Sequence, residues 1–182
     1  AQVTLEEAAS GVETEVILLA TERDAVTKQI VKVERPTRVR LPPGLVHGER
    51  LCVRGLSADG AGDVYVTVTL KKHPIFHTNG HDIFVKLPIA PWEAVLGAIL
   101  DIPTLQGPVQ VRLKPGTGAG QKLRLQGRGL TKPTGGNGDL YCVLRVVTPT
   151  QVSEREKALY RELAQLANFA PRAGLRTASG AE

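Results

Sequence analysis

The chain has 182 residues, 42% of them hydrophobic, with 23 Lys and Arg against 18 Asp and Glu and a net charge of +5. That apolar share supports a packed core and excludes a disordered chain, while length alone leaves one domain or two small ones open. Aromatics make up only 4%, with a single Trp92, which argues against a base-stacking platform for single-stranded nucleic acid; the basic balance bears on attraction to polyanions, not on fold.

The opening AQVTLEEA has neither a basic n-region nor an apolar h-region, so no signal peptide is expected. No apolar run reaches the length of a membrane span. With no Met anywhere, position 1 included, the expectation is a piece excised from a longer protein. Glu6 and Glu7 in TLEEA are acids favoured by the dipole at a helix start. VETEVILLATERDAVTKQIVKVERPTRVRL then reads as two long strands around the polar turn ATERDA. A Pro-Gly turn follows at Pro43-Gly44, with Gly48 four residues on, because Gly supplies positive φ and Pro fixes its own. VYVTVTL alternates Val64, Val66, Val68 and Leu70 with Tyr65, Thr67 and Thr69, the period of a strand with one buried face. HPIFHTNGHD reads as an interdomain linker.

From Ile89 the chain repeats itself, and such repeats define an architecture. VTLEEAASG (Val3 to Gly11) aligns with IAPWEAVLG (Ile89 to Gly97), RVRLPPGLVHGERLCVRG (Arg38 to Gly55) with QVRLKPGTGAGQKLRLQG (Gln110 to Gly127), and GDVYVTVTL (Gly62 to Leu70) with GDLYCVLRV (Gly138 to Val146). Each unit runs short helix, strand, Pro-Gly turn, strand, Gly-rich loop, strand, with longer strands in the first unit alone. The prediction is a mainly β protein of two tandem, similar β-sandwich-like domains, each with a short helix. The boundaries are 1–74 and 75–150, then a helix at 151–169 and a mobile tail at 170–182.

In SEREKALYRELAQLANF, Ser153 is a candidate N-cap and Glu156 completes a capping box. Leu159, Leu163 and Leu166 recur on one face, widened by Tyr160, so a C-terminal amphipathic helix is predicted. A lone helix of this length is marginal in water and needs a packing surface, either its own chain or a second copy.

Catalytic and cofactor chemistry finds little support. No Ser-His-Asp or Cys-His grouping emerges, so an enzyme is not expected. GTGAGQ (Gly116 to Gln121) lacks GxGxxG and GxxxxGK[ST], and it joins two strands, leaving no helix N-terminus for a phosphate. His73, His77 and His81 are four apart, yet Pro74 and Asn79-Gly80 break the helix that metal binding would need. Cys52 and Cys142 form no CxxC pair and lie in apolar strand-like runs, so no metal and no cofactor are expected, and buried free thiols in a reducing compartment fit best. Between Ile102 and Gly138 there is no acid, while Arg112, Lys114, Lys122, Arg124, Arg128 and Lys132 lie inside. Solvated strand faces and turns account for such a span; a DNA-backbone surface is the alternative reading.

VTLEEAASG, LPPGLVHGERLCVRG, GDVYV, HPIF, LPIAPWEAVLG, IPTLQG, LKPGTGAGQKLRLQGRGL and GDLYCVLRV, in that order over Val3 to about Leu166, resemble the C-terminal substrate-binding region of DnaJ-type co-chaperones. PWEAVLG and NFAPR look most like the nucleoid-associated branch of that family. The resemblance implies binding of unfolded polypeptide clients for delivery to a DnaK-type chaperone, in protein folding and the stress response. It also implies a V-shaped homodimer joined through Leu159, Tyr160, Leu163 and Leu166. The implied location is cytoplasmic, or the nucleoid where DNA is bound, with no membrane partner. The J domain with its His-Pro-Asp motif is absent, as is the cysteine-rich zinc module, in whose place stands ATERDA. Matched residue by residue, Val16, Leu18 and Val66 fall on a shallow apolar groove for extended peptide, with Val3 at its edge; plain core residues would show the same strand periodicity. A family Lys that contacts the partner chaperone's acidic tail is replaced by Thr14, which puts tail binding in doubt. The branch resemblance implies DNA binding through Arg112, Lys114, Lys122, Arg124 and Arg128.

Overall fold

A computed structural model describes residues 1–23, 30–54 and 63–172, with the backbone alone for 18–23 and 30–35. Residues 1–147 form one compact unit and residues from 148 onward a second.

Both sequence repeats fold alike. β1 (Gln2–Val3) leads into α1 (Leu5–Ser10), and β8 (Asp82–Ile89) leads into α2 (Pro91–Leu96). α1 starts with a complete capping box: Glu7 N–H donates to Thr4 Oγ1 at 3.2 Å, and Thr4 N–H donates to Glu7 Oε2 at 2.7 Å. α2 keeps half of it, since Ala90 has no side-chain acceptor but its N–H donates to Glu93 Oε2 at 2.7 Å. Antiparallel pairs follow, β2 (Val12–Arg23) with β3 (Ile30–Leu41) and β9 (Ala98–Ile102) with β10 (Val109–Leu113). Beyond each Pro-Gly turn, β4 (Arg50–Val53) pairs with β5 (Val64–Thr67) and β11 (Lys122–Leu125) with β12 (Leu140–Val146) in the same register, Leu51 opposite Val66 and Leu123 opposite Cys142. The strand before each helix runs parallel to the last strand of its unit: Val3 faces Leu70 of β6 (Thr69–Leu70), and Ile89 faces Val146.

The main difference lies in the strands after the helix. β2 and β3 have twelve residues each, β9 and β10 five. Pairing continues through Ala20 to Arg23, so the first four residues of ATERDA are strand; its last two lie outside the described residues. HPIFHTNGHD, expected as a linker, is instead structural. β7 (Phe76–Asn79) forms a hairpin with β8 and completes a four-stranded sheet ordered β11-β12-β8-β7. His73 anchors its start: Nδ1 accepts the N–H groups of Ile75 and Phe76 at 3.2 and 3.0 Å, its ring stacks on Phe76, and Nε2 lies 3.0 Å from Glu6 of α1.

Two apolar clusters fill the compact unit. The first holds Val3, Ala8, Val39, Leu41, Leu45 and Val68. The larger second cluster gathers the inward residues of β8 and β12 with Ile102, Leu113 and Leu130, and it includes Leu5 from α1, with Ala9, Val46 and Leu70 packed against it. Burying Leu5 stabilises this junction by roughly 1.5–3 kcal/mol. The expected alternation in VYVTVTL holds, with Val66 and Val68 buried and Tyr65, Thr67 and Thr69 exposed. Cys142 is buried as expected, and burial pushes its thiol up to about 11. Cys52 is not, because on β4 it points away from the side taken by Leu51 and Val53.

α3 (Glu154–Leu166) opens on the capping box expected of Ser153 and Glu156, with Glu156 N–H donating to Ser153 Oγ at 3.3 Å and Ser153 N–H donating to Glu156 Oε2 at 2.6 Å. Most of the tail, from residue 173, lies outside the described residues.

Gly44 sits at φ +89° with its N–H on Ala8 O at 2.7 Å, and a Cβ there would lie 2.1 Å from Thr131 O. Its repeat counterpart Gly116 has a similar φ of +76° but open space around it. Gly116→Ala should therefore cost only the left-handed backbone penalty, about 1–2 kcal/mol. Gly44→Ala adds overpacking, for a total of about 2–5 kcal/mol. Urea unfolding of both variants measures the contrast, and equal midpoints would refute it.

Candidate functional site

β2 is the element on which a site is most readily built. Among the described residues its only strand partner is β3, so its other edge presents unpaired backbone donors and acceptors. An extended peptide can pair with such an edge, with main-chain hydrogen bonds holding it and side-chain pockets selecting it. Val16 lies on this strand, half-buried and packed against the cluster that contains Val3. Val3 itself is 1% exposed and Val66 5% exposed, so both are buried rather than on the surface, with Val3 in the cluster beneath Val16. Leu18 pairs with Arg35 along the strand; its side chain lies outside the described residues. Ile17, which the sequence reading passed over, is 65% exposed on the opposite side of β2. Its signal was the unbroken apolar run VILLA, which departs from strict alternation.

Near the start of β2, Glu13, Thr14, Glu15 and Arg38 line a shallow cleft of about 270 Å³. Opposite charges face each other across the strands there, Glu13 with Arg40 and Glu15 with Arg38. Thr14, the departure from the family's Lys, thus sits between two carboxylate-bearing positions.

The cations of the acid-free span are spread over two strand pairs and their loops. Arg112 projects from the β9–β10 pair opposite Ile99, with Lys114 one residue past that strand's end. Lys122 and Arg124 project from β11, on the outer face of the four-stranded sheet. Two are already engaged. Arg124 reaches Asp139 through Nε and Nη2, both at 2.7 Å, and Arg128 donates to Gln106 Oε1 at 2.7 Å. Asp139 also accepts Gly127 N–H at 2.9 Å; that bond first, and Arg124 next, hold its carboxyl below the usual aspartate value.

Two apolar surfaces remain exposed. Trp92, Val95 and Leu96 share one face of α2, with Ile99 on the outward side of β9. The i, i+3, i+4 spacing in PWEAVLG was a readable signal for that face. On α3, Leu159, Tyr160, Leu163 and Leu166 are between 39% and 76% exposed, and no residue of the helix is buried.

The sequence matches the DnaJ C-terminal domain model over residues 1–149. Similar relatives include a curved DNA-binding protein of Pseudomonas syringae pv. tomato, 37% identical over 94% of this chain and 56% of the relative. Another is a curved DNA-binding protein of Coxiella burnetii, 38% identical over 93% of this chain and 55% of the relative. The chain therefore spans a little over half the length of these curated relatives, and it belongs to the DnaJ C-terminal domain family. Among the described residues no helix is long and apolar enough to cross a membrane.

Asp139 ties the end of β12 to β11, so Asp139→Asn should lower stability at neutral pH. A carboxyl whose folded value is depressed stabilises above its unfolded value, near 3.9, and loses that contribution as pH falls through the folded one. The gap in melting temperature between parent and variant should accordingly be full at pH 5 and above and close below about pH 4. A gap of constant size down to pH 2 would show that the charge is not its source.

Proposed function

We propose that this chain is the client-binding part of a DnaJ-family co-chaperone, holding apolar segments of non-native polypeptide for delivery to a DnaK-type chaperone. The observation that carries the reading is the unpaired edge of β2 beside Val16, in a chain of this family. Stimulation of the chaperone's ATPase would belong to a J domain, whose His-Pro-Asp motif does not occur in these 182 residues. The place of work under this reading is the cytoplasm.

The magnitudes suit a transient holder. Two or three apolar side chains buried on the groove contribute roughly 1.5–3 kcal/mol each. Lost translational and rotational freedom then costs about 4–15 kcal/mol. A single groove is therefore weak, and two grooves on a homodimer add affinity by raising effective concentration. Glu13 and Glu15 lie on the other face of the strand from Val16, opposite Arg40 and Arg38, so the groove face itself is selected by apolar contact.

The relatives are named for curved DNA. On this chain the five cations first assigned to DNA are split between two strand pairs and their loops, and two of them are engaged in side-chain bonds. The helix beside Lys114, α2, carries an apolar exposed face of Trp92, Val95 and Leu96. The polypeptide reading is the one the geometry supports best.

Val16→Ser combined with Leu18→Ser should reduce suppression of aggregation of a denatured client several-fold while the circular dichroism spectrum is kept. An equally active, folded double variant would sink the groove assignment. The homodimer has a separate test. Truncation after Thr150 removes α3 and leaves the compact 1–147 unit whole, so sedimentation at micromolar concentration should change from dimer to folded monomer, with weaker client binding. A truncated chain that still sediments as a dimer would move the joint away from α3.

A further inference from the structure

The outer face of the four-stranded sheet brings together residues that lie far apart in the sequence. Strand register places Arg124, Tyr141, Phe84 and His77 in one row across β11, β12, β8 and β7. The neighbouring row holds Lys122, Val143 and Lys86, and beyond it Arg145 lies beside Pro88. The inward residues of β8 and β12, Ile83, Val85, Leu87, Leu140, Cys142 and Leu144, belong to the core, so the alternating set faces outward by the period of the strand. Tyr141 and Phe84 stack on one another, ring centroids 5.1 Å apart and planes 17° from parallel. Lys86, Lys122 and Arg145 are exposed, and none has an acid partner among the described residues.

The acids at the end of this face are engaged. Asp139 is held by Arg124 and Gly127, and Asp82 Oδ1 accepts Asp139 N–H at 2.8 Å. Three cations without an acid partner among the described residues thus lie on one side of the aromatic pair, and Asp82 and Asp139 lie on the other. With strands about 4.8 Å apart, Lys122 and Lys86 stand roughly 10 Å from each other across Val143.

We propose that this sheet face is a binding surface for single-stranded nucleic acid, with Lys86, Lys122 and Arg145 on the phosphates and Tyr141 and Phe84 against the bases. Aromatic rings on a sheet flanked by cations take unpaired bases, because every base has a stacking face and the backbone needs only positive charge beside it. A duplex hides its base faces and is read by elements that enter a groove; the flat sheet offers none. The proposal stands apart from client binding, which uses β2, so either can fail without the other.

The test uses the 182-residue chain with a fluorescent thirty-nucleotide oligo-dT and a duplex of equal length, by anisotropy in 50 and 200 mM salt. Oligo-dT should bind at 50 mM salt and more tightly than the duplex. The triple variant Lys86→Gln, Lys122→Gln, Arg145→Gln should weaken it at least tenfold. It should also reduce the slope of log K against log salt by about 2, at about 0.7 per single-strand phosphate contact. Tyr141→Leu with Phe84→Leu keeps apolar volume but removes the rings, and should weaken oligo-dT about tenfold while leaving any duplex binding unchanged. No oligo-dT binding at 50 mM salt, or undiminished binding by the folded triple variant, would overturn the assignment. So would a duplex bound more tightly than oligo-dT with the ring variant unaffected.

Discussion

The seating of α1 on the second repeat is the contact on which the compact unit depends. Leu5 is the first residue of α1, yet it is buried in a cluster built mainly from β7 to β12. The Pro-Gly turn that receives Ala8 O also brings Gly44 against Thr131, a residue of the other repeat. Only a residue without Cβ permits that approach. His73 reinforces the junction, since the imidazole that ties down the start of β7 also meets Glu6 on α1. One short helix therefore serves two cores: Ala8 faces its own cluster while Leu5 and Ala9 face the neighbour's. That is why residues 1–147 behave as one compact unit although the sequence writes two domains.

The repeat makes the asymmetry between the units interpretable. Glu6, Ala9 and Ser10 on α1 correspond to Trp92, Val95 and Leu96 on α2. On α1 this face borders a cleft shared with Leu105, Gln106, Gly129 and Thr131 of the second repeat. On α2 the same face is exposed and far more apolar. Gly116 tells the same story, being open where Gly44 is crowded. The two units thus differ where the first meets its neighbour. The first unit has small and polar residues at that seam, and its longer β2 and β3 carry the proposed client edge.

Much of the fold was legible because the strongest signals are local. Alternation in VYVTVTL, the Ser153–Glu156 capping box and the Pro-Gly turns each depend on a few adjacent residues, and each appears where the spacing puts it. What local patterns could not convey was pairing across the chain. HPIFHTNGHD looked like a linker because Pro74 and Asn79-Gly80 are turn residues, yet the same residues bound a four-residue strand whose partner, β8, follows directly. Cys52 shares an apolar run with Leu51 and Val53, and only the pleat shows that it faces outward. The residues proposed for binding divide in the same way. Val16 could be placed on a strand face from spacing, but whether Val3 and Val66 touch a ligand or underlie it depends on packing, and both are buried.

Charge and aromatic content mislead in a related manner, because composition averages over surfaces that folding keeps apart. The acid-free span from Ile102 to Gly138 looked like one basic strip, yet strand pairing deals its cations to separate strand pairs, and side-chain bonds commit Arg124 and Arg128 to neighbours. The same pairing brings Lys86 and Arg145, from outside the span, beside Lys122. Aromatics at 4% are too few to tile a surface. A sheet does not need many, since one ring on each of two adjacent strands in matching register already forms a stacked pair. Phe84 and Tyr141 meet that condition because β8 and β12 are parallel neighbours with these two residues as partners. A mean over the chain counts such residues, but the register decides which of them can act together.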